Sequence, residues 1–374
     1  MNYLAVLGRQ PEISLAELES LFDEVEQKSR EIAFFKTELG IVPSLDRLGG
    51  SLKLARKLEK NISPEEYLKS LPEGKITLGL SDYTHAKYSS RDIKNISQNG
   101  IKIKKALKES GRSLRLLPNT TPVISTAAAH HNGLGRSPRK VELIKYQNDW
   151  FVSLGAQNIT AYKERDQARP MRDAKVGMLP PKLAQILINL CGNLDQNSTV
   201  LDPFCGTGVV LQEALLMGYN VYGTDKDERM VEYTKKNLAW LSEKHQLNQE
   251  IMVEQGDATT HKWKQPIGAV ASEIYLGPPM STPPADIKLK TVKQECGAVL
   301  TDFLKNLKAE ISPDTPITLA IPAWRRLDGH FERLKTVDEI EKLGYNVINK
   351  SRDGLLYARE NQVVAREIIV LRKK

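Results

Sequence analysis

Four acidic side chains in the second half of this 374-residue chain stand at the ends of short apolar runs: Asp202 ends TVLD, Asp225 ends NVYGTD, Asp257 follows IMVEQG and Glu273 ends AVASE. Ionised carboxylates only accept hydrogen bonds, so the set suits a ligand rich in hydroxyl, amino and ammonium donors. Asp202 leads into PFCGTG, where Gly206 and Gly208 reach backbone angles closed to other residues and leave no Cβ between main chain and ligand. The apolar-faced segment after them reads as a helix aiming its N-terminus at the turn. Leu201 to Asp225 is therefore one βαβ unit of the kind that holds a nucleotide-like molecule.

A dinucleotide fingerprint requires a third glycine, yet after Gly208 the chain continues Val209, Val210, Leu211; a phosphate-cradling loop requires Lys followed by Ser or Thr, which this turn lacks. The remaining arrangement has Asp202 holding the turn and a ligand ammonium, Asp225 accepting both ribose hydroxyls, and Asp257 taking an adenine amino group. Cys205 inside the turn invites a nucleophile reading. That role needs a depressed thiol pKa, which nothing nearby supplies, so packing beside the ligand is expected.

The elements that must position these residues follow from periodicity. Strands are expected at 199–201, 220–223, 251–254, 269–273, 317–321, 345–349 and 363–370, with helices in most gaps. Such alternation gives a mostly parallel sheet covered on both faces. Only SRDGLLYARENQ separates the last two runs, which makes the final strand an antiparallel hairpin partner. Pro181 opens a helix over PKLAQILINLCG, with Leu183, Ile186, Leu187 and Leu190 at helical spacing. The expected fold class is α/β, a seven-stranded Rossmann-like sheet over 180–374 preceded by an α+β region.

In that first region, a strand at 3–7, a helix capped by Ser14 with Glu17 at its third position, strands at 25–28 and 32–36 and a helix near 51–59 suggest a small ferredoxin-like unit over 1–60. A second unit over 61–157 has a short helix after Pro64, a strand at 76–80, a helix at 92–110 stopped by Gly111, a strand at 113–117, a helix stopped at HHNGLGR, and strands at 141–146 and 150–157. Lys102, Lys104, Lys105, Lys108, Arg112 and Arg115 crowd onto its long helix and the next strand, as a solvated face or a polyanion-binding one. His130 and His131 diverge on a helix, and no other clustered His or Cys points to a metal. Residues 158–179 read as a charged, proline-interrupted linker. There Arg165, Arg169 and Arg172 alternate with Asp166 and Asp173, consistent equally with a self-satisfied network and with contacts to phosphates and cofactor.

A formal net charge of +8 favours a polyanion only where the charge gathers on one face. The three cysteines are widely spaced without a CxxC, the N-terminus has no signal pattern, and no apolar run approaches the roughly 20 residues of a membrane span, so a reducing cytoplasm is the expected location.

LDPFCGTG resembles motif I of the class I S-adenosylmethionine-dependent methyltransferases, with Asp225 as their second-strand acid and Asp257 as their adenine contact. Flanked by RDQARP, LPPKLA, YAREN and VVAREIIVL, it resembles the tRNA guanine-N2-methyltransferases that act on position 10, over essentially the whole chain. The resemblance implies a THUMP-like domain over 61–157, carried by the basic helix, SLRLL and STAAAHHNGLG, that grips the acceptor end of tRNA. It implies RNA contacts from Lys102, Lys104, Lys105, Lys108, Arg112, Arg115, Arg169 and Arg172. It also implies an S-adenosyl-L-methionine site from Leu179, Asp202, Phe204, Cys205, Gly206, Thr207, Gly208, Asp225, Lys226, Asp257 and Ala258, and leaves room for an accessory subunit.

One motif departs from that pattern. Amino-directed methyltransferases end the fourth strand with Asp, Asn or Ser, two proline-rich positions and an aromatic, whereas here it ends ASEIYLGPPM. Either Ser272 to Tyr275 stands in that register or Glu273 replaces the acid, with Tyr275 as the aromatic. An exocyclic amine has its lone pair delocalised into the ring, so acceptors must draw its N–H bonds before it attacks a sulfonium methyl. Glu273 is the favoured acceptor, and Tyr275 stacks on the extruded base. An amino methyltransferase acting on rRNA or DNA adenine, and a noncatalytic tRNA-binding protein, are the alternatives.

Overall fold

Strand-forming runs in the first 161 residues assemble a single sheet. In chain order the elements are β1 (Asn2–Leu7), α1 (Pro11–Leu21), β2 (Asp23–Gln27), β3 (Ile32–Lys36), β4 (Ser51–Lys57), α2 (Pro64–Ser70), β5 (Ile76–Asp82), α3 (Ser90–Glu109), β6 (Leu114–Leu116), α4 (Thr126–His131), β7 (Lys140–Tyr146) and β8 (Asp149–Ala156). The eight strands lie in the order β2-β3-β1-β4-β8-β7-β5-β6. Residues 1–60 and 61–157 meet where β4 pairs antiparallel with β8.

Two expectations change here. The stretch expected as a helix near 51–59 is the strand β4, because pairing with β1 on one side and β8 on the other overrides the helical propensity of its Leu, Lys, Ala and Arg. Ser14 and Glu17 do not form a capping box, since Pro11 already opens the helix. Instead Ser14 Oγ donates to the Gly50 carbonyl at 2.7 Å, and the Glu17 carboxylate accepts from the Gly49 and Gly50 amides at 2.9 and 2.8 Å. Inside the sheet, buried Lys53 pairs with buried Glu142 at 2.5 Å, and Ser81 Oγ also donates to that carboxylate at 2.6 Å.

The basic helix α3 buries Ile96, Gly100, Ile103 and Leu107 and exposes Lys102, Lys104, Lys105 and Lys108, so one face is apolar and the other cationic. Arg115 on β6 is exposed as well. Arg112 is occupied elsewhere: its guanidinium donates to the carbonyls of Leu71 and Pro72 at 2.9 and 2.8 Å, pinning the chain after α2.

The structure, a computed structural model, describes residues 2–37, 43–173, 178–264, 266–348, 354–360 and 362–374, and the chain divides into compact units at 1–161 and 162–374. The stretch read as a linker begins with a helix, α5 (Ile159–Gln167), started by Asn158, whose side chain accepts from the Ala161 amide at 3.0 Å. Beyond it come α6 (Pro181–Asn189), β9 (Thr199–Asp202), α7 (Val209–Leu216), β10 (Asn220–Asp225), α8 (Glu228–His245), β11 (Ile251–Gln255), β12 (Ala269–Glu273), α9 (Asp286–Glu310), β13 (Pro316–Arg325), β14 (Phe331–Glu332), β15 (Tyr345–Val347), β16 (Leu355–Tyr357) and β17 (Val364–Lys373). Seven strands run β11-β10-β9-β12-β13-β17-β15, with short β14 and β16 attached to β13 and β17. The first five are parallel, and β17 is antiparallel to both β13 and β15, as the uninterrupted final runs predict. Asn349, expected at the end of the β15 strand, lies outside the described residues. Chain order reverses at β9, which has β10 on one side and β12 on the other; the carboxyl ends of strands at such a switch point open a crevice for ligands. No helix among the described residues is long and apolar enough to cross a membrane.

Candidate active site

Asp202 ends β9 at the switch point and is 2% exposed. Its Oδ1 accepts from the Phe204 amide at 3.2 Å and from Ser272 Oγ at 2.6 Å, which ties the start of the glycine turn to the neighbouring strand β12. Burial pushes the Asp202 carboxyl up to about 7, against those two donors, which pull it down.

The turn itself needs its glycines for different reasons. Gly206 and Gly208 both have positive φ, +52° and +83°. A Cβ on Gly208 would come within 2.9 Å of Thr234 Cγ2, so that glycine serves packing against α8. A Cβ on Gly206 would meet only the Phe204 carbonyl, 4.0 Å away, and would otherwise fill open space. Asp225 braces the turn from β10: its Oδ2 accepts from the Gly206 amide at 2.9 Å and its Oδ1 from the Asp227 amide at 2.9 Å. Each oxygen retains a lone pair for a ribose hydroxyl. Asp257, exposed after β11, accepts from the Thr259 amide and hydroxyl at 2.9 and 2.7 Å, and these bonds hold its carboxyl below the usual range. Leu179, Cys205, Thr207 and Ala258 are buried; Phe204 is partly buried, edge-on to Phe303. Burial pushes the Cys205 thiol well up, which disfavours a thiolate.

Two α8 residues that the sequence reading passed over hold the turn. Thr234 Oγ1 donates to the Gly206 carbonyl at 2.8 Å. Asn237 Nδ2 donates to the Thr207 carbonyl at 2.9 Å and the Met171 carbonyl at 3.0 Å, while its Oδ1 accepts from the Met171 amide at 2.9 Å. Both are buried polar residues inside a helix, where Thr and Asn have poor propensity, and that was the available signal.

At the end of β12, Ser272 and Glu273 diverge. Ser272 is wholly buried with its hydroxyl committed to Asp202. Glu273 keeps 15% of its side chain exposed and accepts from Arg366 Nε on β17 at 2.7 Å. Desolvation raises the Glu273 pKa and the Arg366 guanidinium opposes the rise. Tyr275 is 39% exposed, and Lys226 Nζ, from the end of β10, sits 5.8 Å from its ring centroid. The structure thus brings Lys226, expected beside the cofactor, against Tyr275, expected beside the base.

The arginines of the 158–179 segment separate. Arg165 pairs with buried Glu213, Nε to Oε1 at 2.6 Å and Nη2 to Oε2 at 3.2 Å. Arg172 is exposed and donates to the Gln167 carbonyl at 3.3 Å. Arg169, expected on the RNA side, is 3% exposed, so its guanidinium is not presented to a polymer.

Strand order, glycine turn and acid placement define this unit as a Rossmann-like α/β domain with a nucleotide-type crevice, and its acceptor set is of the kind that suits S-adenosylmethionine. Residues 169–308 match the family model described as "RMKL-like, methyltransferase domain", and residues 84–236 match one described as "DNA methylase". The chain is 29% identical over 194 residues to the tRNA (guanine(10)-N2)-dimethyltransferase of Methanothermobacter thermautotrophicus, covering 51% of this chain and 53% of the relative. It is 41% identical over 104 residues to the enzyme of that name from Pyrococcus abyssi, covering 28% of this chain and 29% of the relative. The chain thus spans about half the length, or less, of the curated relatives it matches. TrmN from Thermus thermophilus aligns over 100% of both chains at 16% identity with a TM-score of 0.47.

Proposed function

We propose that this chain transfers a methyl group from S-adenosylmethionine to the exocyclic N2 of a guanosine in tRNA, at the position 10 named for its relatives. The observation that carries the reading is the convergence of the Gly206–Gly208 turn, Asp202, Asp225 and Asp257 on the same strand ends as Glu273 and Tyr275. Cofactor acids and an amine acceptor thereby share one crevice.

When bound, S-adenosylmethionine supplies an electrophilic sulfonium methyl whose thioether departs without protonation. The chain's task is then positioning, within about 3–3.5 Å and in line. Asp225 and Asp257 hold the ribose and adenine ends, and Asp202, ionised, offsets the positive charge on the methionine part. Glu273 accepts from an N–H of the guanine amine; one bond from Arg366 leaves acceptor capacity on its carboxylate. Ser272 acts through Asp202 and does not touch the base. Tyr275 stacks on the extruded guanine, worth about 1–3 kcal/mol per base. The cationic face of α3 supplies RNA affinity, and the region 61–157 serves as the grip on the acceptor end.

Incubating the chain with bulk tRNA and labelled S-adenosylmethionine, then digesting and identifying nucleosides by mass spectrometry, tests the proposal. N2-methylguanosine or N2,N2-dimethylguanosine mapped to position 10 is the expected product. The match to a DNA methylase family supports a second reading, amino methylation of DNA, and methyl transfer to duplex DNA but not tRNA would favour it.

A further inference from the structure

Arg169 is 3% exposed, and its Nε and Nη1 have no hydrogen-bond partner among the described residues. Among the described residues its guanidinium donates to the neutral Met178 Sδ, 2.9 Å from Nη2, a weak acceptor. Asp166 influences it at a distance and Arg172 opposes, but neither forms an ion pair with it. Arginine does not shed its proton in a protein, so this is a buried cation without a counter-ion among the described residues, an arrangement that is unfavourable unless an anion is delivered.

Its place in the fold says which anion. Two residues further on, the Met171 backbone is bracketed by Asn237, whose amide also grips the Thr207 carbonyl in the glycine turn. The segment carrying Arg169 is thereby fastened to the turn beside Asp202 and Cys205. Around that turn the titratable groups Asp202, Asp225, Asp257 and Glu273 are acids, and the cation Lys226 lies exposed at the Asp225 end against Tyr275. The acids suit the hydroxyls and amines of S-adenosylmethionine, but its single anionic group, the methionine carboxylate, has no partner among them.

We infer that Arg169 receives the carboxylate of the cofactor's methionine part, and that Asn237 is the positioning residue that holds Arg169's segment in register with the turn. The inference rests on the methyltransferase reading. A phosphate of the RNA is the less suitable occupant, because a polymer cannot reach a side chain this buried.

Isothermal titration of the full chain with two ligands tests this. S-adenosylhomocysteine carries the carboxylate, and 5′-deoxy-5′-methylthioadenosine has the same nucleoside thioether without the amino-acid part. Arg169→Gln is expected to weaken S-adenosylhomocysteine about 10- to 100-fold and leave methylthioadenosine within about twofold. Arg169→Lys should recover part of the loss. The unliganded Arg169→Met variant should melt at or above the parent temperature, since a charge without a partner is removed. Equal losses for both ligands, no loss for either, a sharply lower melting temperature, or weakened tRNA binding with unchanged S-adenosylhomocysteine binding would each overturn the assignment. If the parent chain binds neither ligand, the methyltransferase reading fails and takes this inference with it; if it binds both and Arg169→Gln matches it, only the Arg169 assignment fails.

Discussion

Ser272 Oγ donates to Asp202 Oδ1 across 2.6 Å, joining β12, which ends at Glu273, to β9, which enters the Gly206–Gly208 turn. On the proposed function, the methyl-donor side and the acceptor side share a hydrogen bond in the core.

Burial of Asp202, which that bond only partly offsets, is expected to make cofactor binding depend on pH. Burial raises the Asp202 carboxyl to about 7 in the folded protein, and a ligand ammonium beside it favours its ionised form. S-adenosylhomocysteine affinity is expected to fall, by at most about tenfold per unit, as pH drops below 7, with proton release on binding measurable in buffers of different ionisation enthalpy. Asp202→Asn should flatten the profile, and Ser272→Ala, which removes a donor to the carboxylate, should shift it to higher pH. The linkage sign for folding is opposite to that of a salt-bridged acid. A folded pKa above the unfolded value of about 3.9 contributes stability present below pH ~4 and lost as pH rises through ~7, so parent stability should decline relative to Asp202→Asn across that window in denaturant titrations.

Glu273→Ala and Glu273→Gln should lower kcat about 100-fold while leaving S-adenosylhomocysteine affinity nearly unchanged. Arg366→Ala removes the cation that opposes the desolvation of Glu273, so the acidic limb of the kcat profile should move to higher pH, with Arg366→Lys restoring part of the shift. Full turnover by the Glu273 variants would remove it from the chemistry.

Replacing Lys104, Lys105 and Lys108 together by Ala should weaken tRNA binding and reduce the slope of log affinity against log salt by about 2 to 3, because each side chain is exposed on α3 and can release a counterion. Filter binding across a salt series reads both. An unchanged slope would take α3 off the RNA face.

Gly208→Ala should destabilise the chain by about 1–3 kcal/mol, from a positive φ and from a Cβ 2.9 Å from Thr234 Cγ2. Adding Thr234→Ser removes that methyl but keeps a hydroxyl for the Gly206 carbonyl, so the double variant should regain part of the loss in a chemical denaturation series.

What was legible in the sequence was what local spacing encodes. Apolar runs ending in Asp202, Asp225 and Glu273 announce parallel strands, and two glycines after the first announce the turn, so seven strands with a reversed last one could be read, though not their order across the sheet. Long-range pairing was not legible. Glu273 finds Arg366 ninety-three positions away, and although VVAREIIVL was noticed, nothing in it gave Arg366 a role. The helix expected near 51–59 became β4 because its partners on both sides outweigh intrinsic propensity. Ser14 and Glu17 have capping-box spacing, yet a proline three residues earlier had taken the helix start, freeing both to hold Gly49 and Gly50. Arg169 and Arg172, alike in sequence, differ only in which of them the fold encloses.

The three cysteines, Cys191, Cys205 and Cys296, all lie between 162 and 374, and each is buried with its thiol pushed up. Residues 1–161 contain none. A disulfide reagent in solution is consequently silent towards the N-terminal unit and reacts with the other only when it opens. Labelling kinetics on the unmodified protein therefore form a built-in clock for the breathing of the unit at 162–374, and slower labelling of Cys205 on adding S-adenosylhomocysteine would time the closing of the turn around its ligand.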